Sequence, residues 1–193
     1  MTKLLPGLVF TAMCFTGTVF ADWTLASDTS RMNFMSVKKG EIIETHHFKK
    51  LSGTITEAGK AVIEIDLSSV TTNIEIRDER MQALLFDVPS FPVATVTASV
   101  DTEVLAALED GQRVTQKVSL ELDLHGMKST IETEVFITNA DNDSVTVATT
   151  QPIVISADDF NLGAGVEALR EIAKLPAITH NVPVTFNLMF DQH

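Results

Sequence analysis

The clearest pattern in the chain is an alternation of apolar and polar side chains with a period of two. In residues 114–124 the even positions are almost all apolar, while the odd positions are all polar. Residues 61–67, 94–100 and 182–190 alternate in a similar way. Because successive side chains of a β-strand point to opposite faces, each of these segments is predicted to be a strand with one buried face.

Six less regular segments complete the predicted strands: 30–37, 41–48, 51–56, 129–138, 144–149 and 153–156. Turn-forming pairs such as Lys39-Gly40 and Asp110-Gly111 separate them. Only two segments have helical spacing: residues 78–86, which begin with acidic side chains, and residues 166–175, which stop at Pro176. The sequence has no internal repeat or linker, so one domain is predicted.

About ten one-sided strands with few helices predict an all-β fold, either a sandwich or a barrel. The strand at 114–124 is long for a small sandwich, and the Cys…Trp…Cys pattern of immunoglobulin domains is missing. Long amphipathic strands suit a closed antiparallel barrel, and a barrel of about eight strands can hold one small ligand. We therefore expect an antiparallel β-barrel with one or two short helices.

The first residues have the features of a cleavable signal peptide. Lys3 supplies a positive charge, residues 4–20 carry none, and Val19-Phe20-Ala21 resembles a cleavage site. We expect residues 1–21 to be removed, which leaves 22–193 as the mature domain in the periplasm.

Two other interpretations of this segment are less favoured. A membrane anchor needs about twenty apolar residues, but Pro6, Gly7 and Gly17 interrupt the run. A lipoprotein signal requires a small residue before its cysteine, whereas Met13 precedes Cys14. No transmembrane segment is therefore expected in the mature chain.

Composition and charge limit the partners of the mature domain. Cys14 is the only cysteine in the sequence, so removal of residues 1–21 leaves no disulfide. The net charge of −12 becomes −13 when Lys3 is removed, and a dispersed negative surface repels nucleic acids. Eleven Phe and seven Met against one Trp and no Tyr indicate an interior with few polar groups.

The sequence shows no recognisable catalytic or metal-binding motif. It lacks a G-x-S-x-G elbow, a P-loop and an H-E-x-x-H motif. His46 and His47 are adjacent, so on a strand they point to opposite faces and cannot bind one metal together. We expect no enzymatic activity, no cofactor and no metal.

Seven short motifs occur in a characteristic order along the mature chain: Trp23-x-Leu25, Ser30-x-Met32-x-Phe34, Phe48 with Gly53-Thr54-Ile55, Ser69-Val70-Thr71-Thr72 with Arg77-Asp78, Phe86-Asp87 with Phe91-Pro92, Leu122-x-Leu124-x-Gly126-x-Lys128, and Val182-Pro183-Val184-x-Phe186. Together they resemble the YceI family. The resemblance implies an exported, lipocalin-like barrel whose apolar cavity binds a polyisoprenoid, either an isoprenoid quinone or a polyprenyl phosphate. Such a ligand is plausible physically, because each buried CH₂ group contributes about 0.8 kcal/mol.

The chain departs from the family pattern in two places. Ala26 and Thr29 stand where the first strand commonly has Asp and His, so no role of those residues is carried over. Residues 159–175 have no counterpart that can be placed, and they could form either a lid or a crossover packed outside the barrel.

The residues expected to line the cavity are apolar side chains of the predicted strands, of the first predicted helix and of the Phe91-Pro92 segment that follows it: Phe34, Phe48, Met81, Leu84, Leu85, Phe86, Phe91, Val118, Leu120, Leu122, Phe186 and Leu188. The same residues would form an ordinary core if the barrel were filled. Arg77 is the candidate for the ligand's head group, since it lies near a predicted helix start, although it could instead pair with Asp78 or Glu79.

Three functions are compatible with the sequence. The first is an exported protein that sequesters or carries an isoprenoid lipid. The second is a partner-binding module with a filled barrel. The third, which is less favoured, is an enzyme acting on a bound lipid, and it would need a titratable pair with shifted pKa values at the cavity mouth. A homodimer is compatible with a small exported barrel, but no sequence feature requires one.

Overall fold

The computed structural model describes residues 23–141 and 143–192. Its strands are β1 (Trp23–Leu25), β2 (Arg31–Lys38), β3 (Ile42–Phe48), β4 (Leu51–Ile55), β5 (Lys60–Asp66), β6 (Val70–Thr71), β7 (Val93–Ser99), β8 (Arg113–Leu124), β9 (Met127–Asp141), β10 (Ser144–Thr149), β11 (Ile153–Ser156) and β12 (Asn181–Gln192). The helices are α1 (Glu75–Arg80), which continues into a π-helical turn (Met81–Leu85), α2 (Thr102–Ala107) and α3 (Gly163–Ile172). Two 3₁₀ turns lie at Leu67–Ser69 and Ala157–Phe160.

Eight strands close into an antiparallel barrel. Their order is β1-β4-β5-β7-β8-β9-β10-β12, and the ring closes because β1 pairs with both β4 and β12. On the same edge of β12 as β1, β2 continues the sheet and is followed by β3 and β6. The prediction of an all-β antiparallel barrel with short helices is confirmed.

The period-two alternation places the apolar faces inside. Each of the four regular segments, 61–67, 94–100, 114–124 and 182–190, turns its apolar positions toward the barrel interior. The long hairpin of β8 and β9 pairs from Arg113 opposite Thr138 to Leu124 opposite Met127. Its register fixes which residues of β9 share the interior, because a slip of one residue would turn them outward.

Helices cover both ends of the barrel. The segment that contains α1 and the π-helical turn precedes β7, and α2 follows it, so these two helical regions lie at opposite ends of the same strand. The helix α3 packs against the π-helical turn at the first end. The barrel interior is therefore bounded by strands at the sides and by short helices at the ends.

The expectation of only two helical segments was wrong, because α2 was missed. This helix has six residues, too few to show a clear period. Asp101 caps it, with a side-chain oxygen that accepts hydrogen bonds from the backbone N–H groups of Glu103 (3.0 Å) and Val104 (3.4 Å). Leu105 then packs into the barrel interior, so tertiary contacts stabilise a helix that is too short to persist alone.

The expected signal peptide, residues 1–21, lies outside the described residues. Within the part of the chain that the structure does describe, no helix has the length and apolar character needed to cross a membrane.

Candidate ligand-binding cavity

The barrel interior contains an elongated apolar cavity. Its volume is about 230 Å³. Every described residue that lines it is apolar. Ala94 and Val100 both line it and are six residues apart on one extended segment, which corresponds to about 20 Å.

Nine of the twelve residues predicted from the sequence to line the cavity do lie on its wall. These are Phe34, Phe48, Leu85, Phe86, Val118, Leu120, Leu122, Phe186 and Leu188. They come from β2, β3, β8, β12 and the end of the π-helical turn. Residues far apart in the sequence are thus brought to one surface by the closure of the barrel.

Three predicted lining residues lie elsewhere. Met81 and Leu84 belong to the π-helical turn, where Phe86 N–H donates to the Met81 carbonyl over 3.0 Å, five residues back. The wider turn directs Leu85 and Phe86 to the cavity, leaves Leu84 42% exposed, and packs Met81 in the core beside it.

Phe91 is also not on the cavity wall. Its ring packs against the ring of His125, with 4.3 Å between centroids, and lies beside Gly126. His125 and Gly126 form the turn between β8 and β9, and both have positive φ. Phe91 therefore covers a hairpin turn and does not point into the cavity.

Sequence reasoning missed lining residues from the helices. Leu105 reaches the cavity from α2, and Val166 reaches it from α3. Leu162, the residue before α3, also lines the cavity. The only available signal for α3 was the apolar spacing of residues 166–175, and the helix begins earlier, at Gly163. Of the two interpretations left open for residues 159–175, the lid is the one that the structure supports.

The lid is held by a close helix contact and by an ionic group. A Cβ atom at Gly165 would lie 2.6 Å from the Leu84 carbonyl oxygen, so α3 approaches the backbone of the π-helical turn. At the start of α3, the His180 ring is hydrogen-bonded to Asp158 (2.9 Å) and to Glu167 (3.3 Å). The hydrogen bond to Asp158, more than that to Glu167, raises the pKa of His180.

Arg77 lies in a polar cluster at the lid end of the barrel. Its Nη1 donates to Glu44 Oε2 over 2.8 Å, and its Nη2 donates to the Thr72 carbonyl oxygen over 2.7 Å. Lys38 also pairs with Glu44, and this contact is the main cause of the lowered pKa of Glu44. The partner of Arg77 is thus Glu44, on β3, and neither Asp78 nor Glu79.

His46 belongs to the same cluster and is buried. Burial, and then the positive charge of Arg77, lower its pKa, so the imidazole is neutral near pH 7. His46 Nε2 is 2.9 Å from Ser36 Oγ, and its ring lies 5.2 Å from the ring of Phe34. In the described residues no three His, Cys, Asp or Glu side chains gather into a metal site.

Comparisons with known proteins agree with this geometry. The model of the YceI-like domain matches residues 23–190. A solved structure described as a polyisoprenoid binding domain from Saccharophagus degradans, implicated in plant cell wall breakdown, is 40% identical, with a TM-score of 0.88. The match covers 90% of this chain and 99% of that one. A comparison with curated protein sequences gives no match.

More distant structures share the fold. BcnA from Burkholderia cenocepacia has 19% identity and a TM-score of 0.65, over 86% of this chain and 98% of its own. A variant of the Campylobacter jejuni YCEI protein has 15% identity and a TM-score of 0.53, over 77% of this chain and 84% of its own. The match to the domain model over nearly the whole described chain shows the family: the protein belongs to the YceI-like domain family.

Proposed function

We propose that this protein is exported to the periplasm, where it binds an isoprenoid lipid in its barrel and carries or sequesters it. The observation that carries the proposal is the elongated cavity, whose lining residues, among those that the structure describes, are all apolar. The Saccharophagus degradans relative, which is described as a polyisoprenoid binding domain, supports the class of ligand. The features of residues 1–21 support export.

The size of the cavity is sufficient for part of a prenyl chain. One water-sized group needs about 10–15 Å³ of cavity volume, so a cavity of about 230 Å³ holds about 15 to 23 groups of that size. Burial of about 15 CH₂-like groups contributes about 12 kcal/mol before the entropic costs of binding. A micromolar complex requires about 8 kcal/mol, so apolar contact reaches this affinity when the costs of binding stay near the lower end of their range, about 4 kcal/mol.

The cavity argues against the alternative of a filled barrel. If side chains filled the interior, residues such as Ala94 and Ala98 would face large neighbours, whereas both border open space. The relative at 40% identity is described as a binding domain, which favours binding over catalysis on the lipid.

A substitution that fills the cavity tests the proposal. Ala98 lines the cavity from β7, and Thr97, the residue before it, points to the opposite face of the strand. The Ala98→Phe variant should lose at least about tenfold in affinity for added ubiquinone, because its ring occupies the space needed by the prenyl chain. The Thr97→Phe variant carries the same ring on the outer face and should bind ubiquinone as the unchanged protein does.

The outcomes separate the alternatives. Ubiquinone binding that is equal in the two folded variants would contradict binding inside the barrel. Melting temperatures of the ligand-free proteins serve as the control for folding, and an Ala98→Leu variant provides a smaller filling group if the phenylalanine prevents folding.

A further inference from the structure

The lid end of the barrel carries most of the exposed large apolar side chains in the described part of the chain. They lie on four segments: the start of β3, the start of α1, the π-helical turn and the end of α3. We call this set the apolar rim, which comprises Ile42, Ile43, Ile74, Ile76, Leu84 and Ile172. Val93 and Met127, which begin β7 and β9, are exposed at the same end. Among the described residues only Val154, on the barrel wall at β11, is comparably exposed elsewhere.

The segments that carry the apolar rim are neighbours in space. Arg77 on α1 and Lys38 on β2 both pair with Glu44 on β3, which ties the helix to the β2–β3 hairpin. The Lys39 N–H donates to the Ala177 carbonyl oxygen over 3.0 Å, so the tip of the hairpin lies beside the segment that follows α3. The helix α3 packs in turn against the π-helical turn. The rim is therefore one region of the surface.

The opposite end of the barrel, where α2 lies, has a different surface. None of the exposed large apolar side chains found in the described residues lies there. Its helix and loops carry many carboxylates, including Glu57, Asp101, Glu103, Glu109, Asp110 and Asp141. Lys60 and Arg113, at the starts of β5 and β8, are too few to balance them. This end is therefore strongly negative and polar.

The lid end carries both signs of charge. Lys39, Arg80 and Lys174 are exposed beside the apolar rim, and exposed carboxylates such as Glu75 and Glu171 accompany them. Long cationic side chains can lay their apolar stems along a greasy surface while the charged group stays in water. An anionic surface repels the α2 end and meets no comparable repulsion at the lid end, so it turns the lid end toward itself.

A lipid bilayer fits this surface better than a protein partner does. The core of a protein interface is depleted of charged residues, whereas the apolar rim is interspersed with them. Apolar side chains flanked by exposed charges are typical of elements that lie at a membrane surface. The rim also adjoins the cover of the cavity, because Leu85 and Phe86, directly after Leu84, line the cavity, as does Val166 of α3.

We propose that the apolar rim inserts into the surface of a lipid bilayer and holds the lid against the membrane, with the acidic α2 end turned to water. A lipid then passes between the bilayer and the barrel without crossing water. This inference rests on the proposed function, because a protein that carries a lipid must exchange it with a membrane. It adds the bilayer as a partner and assigns the face that meets it.

Flotation of the mature protein with vesicles tests the inference. The vesicles consist of phosphatidylethanolamine with phosphatidylglycerol as the minor component, and the unchanged protein should float with them. Ile43→Glu removes a side chain that is 64% exposed, and the fraction bound should fall at least about threefold. Val154→Glu is the matched control, because Val154 is 61% exposed on the outer face of β11 and gains the same charge. This control should float as the unchanged protein does.

Two outcomes would overturn the inference. The first is an unchanged protein that does not float, and the second is equal flotation of Ile43→Glu and Val154→Glu. Ile76→Glu, in the helix α1, provides a second rim variant if Ile43→Glu does not fold. A protein that forms a dimer, which Ile43→Glu dissociates, and does not bind vesicles would assign the rim to a second copy of the chain.

Ubiquinone binding without vesicles separates this inference from the proposed function. The rim variants should bind ubiquinone as the unchanged protein does, because neither Ile43 nor Ile76 lines the cavity. Ubiquinone binding without flotation would contradict the docking surface alone. Flotation without ubiquinone binding would contradict the proposed function and leave the docking surface supported.

Discussion

Replacement of Gly165 by alanine is expected to disturb the contact between the lid helix α3 and the π-helical turn. The added Cβ would lie 2.6 Å from the Leu84 carbonyl oxygen and 2.8 Å from the Leu85 Cα. Both are backbone atoms, which cannot rotate away. Since carbon atoms in favourable contact are about 3.5–4.0 Å apart, the two helices must separate by several tenths of an ångström or more.

The magnitude follows from two opposing effects. Overpacking of this kind costs about 1–3 kcal/mol, while the change from glycine to alanine in a helix returns at most about 1 kcal/mol. We expect the free energy of unfolding to fall by about 1–2 kcal/mol. For a domain of this size, that corresponds to a melting temperature lower by about 2–8 °C.

The assay compares Gly165→Ala with Gly163→Ala in the same helix by calorimetric melting. At Gly163 the added Cβ would meet the Asp158 carboxylate oxygen at 2.2 Å, but this side chain is 64% exposed and can rotate into solvent. Because that rotation gives up the hydrogen bond to His180, the control should lose only the contribution of this exposed pair and should melt above Gly165→Ala. A Gly165→Ala variant that is as stable as Gly163→Ala would refute the reasoning that backbone contact holds the lid.

Two further predictions concern the lid and export. Asp158 mainly, and Glu167 as well, raise the pKa of His180 in the folded protein above its ordinary value of 6.5. The protonated ring therefore stabilises the fold fully below pH 6.5, and this stabilisation is lost as the pH rises through the raised pKa. His180→Gln should therefore lower the melting temperature at about pH 6 but have little effect at about pH 9, and equal effects would contradict this. The intact mass of the protein from the periplasm of a bacterial host should correspond to a chain that begins at Asp22, whereas a mass that includes residues 1–21 would contradict export by cleavage.

Much of the fold could be predicted because its information is local. The alternation in residues 114–124 and 182–190 directly specifies which face of each strand is buried. The helix α2 could not be predicted in this way, since its six residues depend on the cap at Asp101 and on packing of Leu105 inside the barrel.

The site was predicted unevenly for a related reason. Strand residues such as Leu120 and Phe186 follow the period of two, whereas Leu84 and Leu85 could be told apart only by the π-helical turn. The environment of His46 depends on Arg77, thirty-one residues later, and no local pattern reports such a contact. The polar cluster therefore became visible only in the folded structure.

The most direct test of the account is mass spectrometry of an organic extract of the mature protein, purified without detergent from the periplasm of a bacterial host. An isoprenoid lipid is expected at about one molecule per protein. A protein that is free of lipid and that also fails to take up added ubiquinone would contradict the central claim that the barrel holds an isoprenoid.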